Sequence, residues 1–213
     1  MIAGRLERTD APVSPMALVW RRRVAKLSRW LHIYLSMFSC VVVLFFAATG
    51  LTLNHPEWFA DHEVTTMTSG ELDPRWTSTG TTEMAKLEVV EFLRRTHALT
   101  GAVTDFIVDD TDASVSLAGP GYLADVRIDR DTGRYDLMET RLGFVAIAND
   151  LHKGRDTGPA WKVTIDISAI LLSLISLTGL VMLYFMHRHK LTGYLLVGLG
   201  GLVTWGVYGY LVP

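Results

Sequence analysis

Apolar residues gather in three long blocks, and the stretch between the first two is patterned differently. Ile33–Leu53 carries no charge, Ile165–Met186 carries one acid, Asp166, near its start, and Leu191–Val212 carries none. At ~1.5 Å rise per residue, each block makes a helix long enough to cross the ~30 Å hydrocarbon layer of a bilayer. The pattern predicts three membrane-spanning helices, at 30–54, 164–187 and 191–213. The third is rich in glycine, at positions 193, 198, 200, 201, 206 and 209. Glycine weakens a helix in water, but in lipid it lets helix backbones approach, and Gly200 with Thr204 forms one small-x-x-x-small pair. Trp205, Tyr208 and Tyr210 suit an interfacial aromatic belt.

The chain between the first two blocks, 55–163, reads as a small α+β domain. From His55 to about Gly80, prolines, Gly70 and many Ser and Thr predict irregular structure. Glu83–Ala98 predicts an amphipathic helix, with Leu87, Val90, Phe92 and Leu93 near helical spacing and Thr81 or Thr82 as cap. Short strands follow around Thr104–Val108, Ser114–Leu117, Leu123–Ile128 and Arg134–Leu137. Gly119-Pro120-Gly121 and Asp131-Thr132-Gly133 supply turns between the later ones. A second helical piece, Arg141–His152, leads back toward the second span. The expected fold is thus a membrane α-helical chain with a small α+β domain inserted between helices one and two.

Charge adds direction. The run RRRVAKLSR precedes the first span, and His187–Lys190 links the second and third. Basic loops favour the cytoplasmic side, which makes 1–29 a cytoplasmic tail, 188–190 a cytoplasmic turn, and 55–163 and the C-terminus periplasmic or extracellular. The basic run also admits a cleaved signal sequence, but such apolar regions run ~7–15 residues and no small-x-small site follows, which favours an anchor. The first 20 or so residues, with two prolines and no periodicity, are expected to be mobile.

Composition mainly excludes. Cys40 is the single cysteine, so neither a disulfide framework nor a thiolate metal site is available. No basic stretch carries interleaved aromatics, which argues against nucleic acid. No nucleophile motif or phosphate-binding glycine loop occurs, and no catalytic residue is assigned. Asp105, Asp109, Asp110 and Asp112 flank strand ends and read as solvated turn acids rather than a calcium site.

Of seven histidines, four stand at the ends of the first two spans. His32 begins span one, His55 ends it, His152 precedes span two by a short link, and His187 ends span two. One histidine from each helix therefore falls near each membrane face. Neutral imidazole ligates haem iron, and a helix bundle is where such cofactors are held. The pattern points to haem b, one or two per chain, on His32, His55, His152 and His187, with His189 as an alternative to His187. The competing reading makes them amphipathic residues facing lipid headgroups. His32 and His55 lie 23 residues apart, about 35 Å along a straight helix, which separates two such sites widely. Asp166 reads first as a structural ion-pair partner for Arg155 or Lys162. The alternative is that Asp166 steers a ligating histidine and Arg155 meets a haem propionate.

Several stretches resemble a known family, the PepSY-associated transmembrane proteins, in particular a short three-span branch. They are W-L-H (Trp30–His32), T-G-L-T-L-N-H-P-E-W-F (Thr49–Phe59), N-D-L-H-K-G-R (Asn149–Arg155), W-K-V-T-I-D-I-S-A (Trp161–Ala169) and S-L-T-G-L (Ser176–Leu180). Val126–Gly133 is similar to the hairpin of PepSY modules. The resemblance implies a bacterial inner-membrane protein. Larger relatives include haem-containing reductases that carry electrons to ferric siderophores in the periplasm, and His32, His55, His152 and His187 fall where their ligands would be expected. This chain departs from them in having three spans rather than four and a smaller outer domain. The leading expectation is a b-type cytochrome passing electrons to a periplasmic acceptor such as a ferric chelate. Two rivals stand beside it. One is a non-enzymatic anchor whose outer domain binds or regulates a periplasmic protein, since PepSY modules elsewhere regulate proteases. The other is an accessory subunit of a larger respiratory or uptake complex, docked through the third span. A homodimer is a further expectation, because three helices make a thin wall around a haem.

Overall fold

A computed structural model describes residues 15–77, 84–186 and 188–213. The chain runs α1 (Pro15–Asn54), a 3₁₀ helix (Pro56–His62), β1 (Val64–Glu71), α2 (Lys86–His97), β2 (Ala102–Val108), β3 (Asp112–Gly119), β4 (Tyr122–Asp129), β5 (Arg134–Arg141), α3 (Phe144–Lys153), α4 (Gly158–Phe185) and α5 (Lys190–Leu211). Helices α1, α4 and α5 are each long and apolar enough to cross a membrane. The antiparallel sheet lies between the first two in the chain, which makes this a membrane protein with a small sheet domain. Two compact units result, one of Val42–Ser168 and one of the chain up to Val41 with Ala169–Pro213.

In the first of these units the strands are ordered β1-β5-β4-β3-β2, all antiparallel. Alternation along β3, β4 and β5 sends Val115, Leu117, Ala124, Val126, Ile128, Tyr135 and Leu137 to one face. Helix α2 covers that face with Val89 and Leu93, and Leu72, Met84 and Leu99 complete the core. The expected strands are therefore present, each longer than its apolar run. Backbone pairing continues past the last residue that needs burying.

Three expectations for this region are corrected. The stretch from His55 on is not irregular throughout, since it contains the 3₁₀ helix and strand β1. Strand β1 is an edge strand paired only with β5 and exposed along nearly its whole length. It therefore needs no apolar alternation and leaves none to read. Leu87 is 70% exposed, and Val89, outside the expected apolar set, is fully buried. The helix starts at Lys86, and Thr81 and Thr82 lie outside the described residues.

Helix α1 begins at Pro15, so the basic run is helical and the last residues of the expected mobile tail belong to the helix. Proline suits the first turn, where its missing N–H would have no partner anyway. Residues 1–14 lie outside the described residues. Along α1, Ser28, His32, Leu35, Ser39, Val42, Phe46, Thr49 and Leu53 are buried or half-buried. Along α4 the same holds for Trp161, Ile165, Ser168, Leu172, Ile175, Gly179 and Met182. Both series step by alternating four and three residues, the 3.5-residue seam of left-handed helix packing. Several seam positions are small, as suits helices packed in lipid. Helix α5 differs: it has no buried residue, and Gly193 against Leu183 is its close approach to α4.

The core predicts a contrast within α2. Leu93→Ala should lower the stability of the sheet domain by about 2–5 kcal/mol through lost burial and a cavity. Leu87→Ala should be near neutral. Thermal unfolding of the detergent-purified chain, followed by protease resistance of the domain, measures both.

Candidate functional site

The N-D-L-H-K-G-R run forms the end of α3. The helix stops because Gly154 adopts φ 68°, where its N–H donates to the carbonyls of Asp150 and Leu151. A side chain there is strained, so glycine at this cap has a backbone reason. The preceding residues tie α3 to separate elements. The Asn149 side-chain oxygen accepts from Thr52 Oγ1 on α1 at 2.6 Å. Asp150 Oδ2 accepts from the Gly121 N–H, in the turn before β4, at 2.9 Å. The Leu151 carbonyl accepts from Trp161 Nε1 on α4 at 2.8 Å. Lys153 pairs with Asp150 at 3.4 Å.

His152 is held within this joint. Its Nδ1 lies 2.6 Å from Thr49 Oγ1, and its ring meets Phe46 edge-on at 4.9 Å. The Thr49 hydroxyl donates to the Phe45 carbonyl at 2.6 Å, so toward His152 its oxygen accepts. The imidazole Nδ1 is therefore the donor, and in the neutral ring this leaves the lone pair on Nε2. Gly50 adjoins the ring: a Cβ there would lie 3.7 Å from His152 Cε1.

His32, in the other unit, repeats the arrangement. Its Nδ1 lies 3.0 Å from the Ile175 carbonyl and 3.1 Å from Thr178 Oγ1. A carbonyl only accepts, and Thr178 gives its own proton to the carbonyls of Leu174 or Ile175, so Nδ1 is again the donor. Gly179 adjoins this ring more tightly, since a Cβ there would lie 3.3 Å from His32 Cε1. Two Thr-Gly-Leu triplets, Thr49–Leu51 on α1 and Thr178–Leu180 on α4, thus each receive one histidine from another helix. The threonine orients each ring; Gly179 leaves room for His32, whereas a Cβ at Gly50 would make an ordinary contact with His152. In its neutral form, an imidazole held through Nδ1–H has Nε2 as its remaining lone-pair donor.

The remaining candidates are placed as follows. His55 precedes the 3₁₀ helix, with Nδ1 3.1 Å from Glu57 Oε1 and its ring stacked on Trp58 at 4.2 Å. The α1 side chain that meets His152 is Thr49, not His55. His187 lies outside the described residues, and exposed His189 caps the N-terminus of α5. Asp166 is exposed, and among the described residues no ion pair joins it to Arg155 or Lys162, contrary to the structural pairing expected first. Exposed Arg155 instead lines a cavity of about 550 Å³ with Asn149, Asp150, Lys153 and Tyr122. Sequence reading passed over His97, which sits 2.7 Å from the buried Tyr135 hydroxyl. Burial pushes that phenol's pKa up, and the pair seals the core beneath β1. It also passed over Thr49, Thr178, Gly50 and Gly179 as partners of the histidines, although the repeated Thr-Gly-Leu was there to be noticed.

Compared with known proteins, residues 26–213 match the model of the PepSY_TM-like family. No curated protein and no solved structure matches the chain. The matched span contains α1 from Lys26 on, the whole sheet domain, α4 and α5, and hence both Thr-Gly histidine pairs. With all but its first 25 residues covered, the chain belongs to the PepSY_TM-like family of transmembrane proteins.

Proposed function

We propose that this chain is a b-type haem protein of the bacterial inner membrane that moves electrons to an acceptor in the periplasm, of the ferric-siderophore type. One observation carries the reading. His32 and His152, and at the boundary His55, each commit Nδ1 to a protein acceptor or carboxylate, which leaves Nε2 for a metal. Bound haem would supply one-electron redox chemistry, with its potential set by axial ligands and their hydrogen bonds. His32 and His152 hold iron in this reading, with His187 and His55 as second ligands. Thr178 and Thr49 are positioning residues, acting through the imidazoles. The 550 Å³ cavity is lined by Asp150 and Asp156 as well as Lys153 and Arg155, and since Lys153 pairs with Asp150, Arg155 is the cation offered to an anionic group, either a propionate or a carboxylate-rich chelate. Asp166 is free to act electrostatically. The basic turns of α1 and the Arg188–Lys190 link support a cytoplasmic placement for those ends, with the sheet domain and the C-terminus periplasmic.

A second reading has its own support. The uncovered face of the sheet is concave, about 740 Å³, and lined by Ser69, Asp112, Asp125, Arg127 and Asp136 among others. Such a face suits a non-enzymatic module that binds or regulates a periplasmic protein. In that reading the protein is colourless and tolerates histidine substitution. A docked complex or a homodimer through α5 fits with either reading.

The deciding measurement is the reduced-minus-oxidised spectrum of detergent-purified protein, with haem counted per chain after growth with ample haem supply. A b-type spectrum that loses intensity in His32→Ala and in His152→Ala supports the cytochrome; a colourless wild type sinks it. Positioning gives finer expectations. Thr49→Val removes the side-chain acceptor of His152 and should weaken haem retention about 10–100-fold. Thr178→Val should cost less, because the Ile175 carbonyl still accepts from His32. Gly179→Ala should disturb the spectrum more than Gly50→Ala, because its methyl meets His32 at 3.3 Å rather than His152 at an ordinary 3.7 Å. Equal spectra for both alanine variants would contradict the role given to glycine.

A further inference from the structure

The unit formed by the chain up to Val41 and from Ala169 on has an unbalanced charge. Its described residues include Arg21, Arg22, Arg23, Lys26, Arg29, Arg188 and Lys190, and no Asp or Glu. None of these cations forms an ion pair among the described residues. The acids that precede them in sequence, Glu7 and Asp10, are matched in number by Arg5 and Arg8. Within the described residues of this unit, no acid offers these basic turns a counter-charge.

Packing shows where they lie. His32 meets Ile175 and Thr178, and the turns from Leu18 to Ala25 reach Phe185. The helices run in opposite directions, so the basic turns of α1 lie beside the last turns of α4, Leu180 to Phe185, which carry no charge. Exposed Trp20 and Trp30 flank this region, as aromatic residues do at a membrane interface. Between the helices is an open cleft of about 300 Å³ lined by Leu18, Arg21, Arg22, Ala25 and Phe185. Two guanidinium-bearing side chains thus share one cleft with three apolar ones.

We propose that this cleft binds an anionic phospholipid, with its phosphate between Arg21 and Arg22 and its glycerol and first acyl carbons over Leu18, Ala25 and Phe185. Guanidinium groups bind phosphate oxygens in pairs of parallel hydrogen bonds, which gives a geometric preference beyond general attraction. Basic recesses between spanning helices are where headgroups of this charge are held. The apolar wall selects a lipid over a bare anion, because an inorganic ion would leave Phe185 and Leu18 against water.

The test is native mass spectrometry of the full chain in detergent, with equal amounts of dioleoyl phosphatidylglycerol and dioleoyl phosphatidylcholine. Wild type should retain phosphatidylglycerol selectively. The double variant R21Q/R22Q should lose about thirtyfold in that retention, the loss expected for two basic residues near an anionic surface. R23Q/R29Q removes the same charge outside the cleft and should stay within about threefold of wild type. Phe185→Ala, which leaves charge untouched, should also weaken retention, so the outcome does not hang on one variant folding. Equal retention of both lipids, equal loss in the two double variants, no effect of Phe185→Ala, or full displacement by inorganic phosphate would each overturn the site.

Discussion

Helix α3 must satisfy several polar side chains where the sheet domain meets the chain's membrane-spanning helices, and the rest of that unit depends on how it does so. Buried or half-buried polar groups are costly when unpaired, and more so near hydrocarbon. Asn149, Asp150 and His152 meet this by bonding to Thr52, to the Gly121 backbone and to Thr49, and Leu151 accepts from Trp161. A ten-residue helix thereby clamps the end of α1, the turn before β4 and the start of α4. Within this clamp His152 is held through Nδ1 by Thr49 and edge-on by Phe46.

The same solution occurs at His32 with the roles of the helices exchanged. At one place α1 supplies the Thr-Gly step and α3 the histidine; at the other α4 supplies the step and α1 the histidine. Threonine is suited because in a helix its hydroxyl returns its proton to a carbonyl one turn back and then offers a fixed lone pair. At the His32 site glycine is also suited, because a Cβ at position 179 would crowd the imidazole. The seams that carry these pairs keep a 3.5-residue step with serine, threonine and glycine at several positions, so helices approach closely enough for a short side chain to bridge them. Helix α5 lies outside this scheme. Its glycines at 198, 200, 201, 206 and 209 have open space where a side chain would be.

Local pattern in the amino-acid sequence was enough for three helices long and apolar enough to span a membrane, for the α+β character of the inserted domain and for strands β2 to β5. Each of these follows from apolar runs, two-residue alternation or turn chemistry within a few residues. Strand β1 was not legible, because an edge strand exposed on both faces is set by its partner β5, not by its own composition. On α2, Val90, Phe92 and Leu93 pack toward the core as expected, but Leu87 is exposed and Val89 buried, for a related reason: helical spacing defines a stripe, but the sheet decides where the stripe is centred. The threonine partners of His32 and His152 and the close approach of Gly179 to His32 were decided by tertiary structure alone. His32 and Thr178 are 146 residues apart, and Thr49 and His152 are 103 apart. No local periodicity reports on groups so distant, and only helix packing brings them within a hydrogen bond.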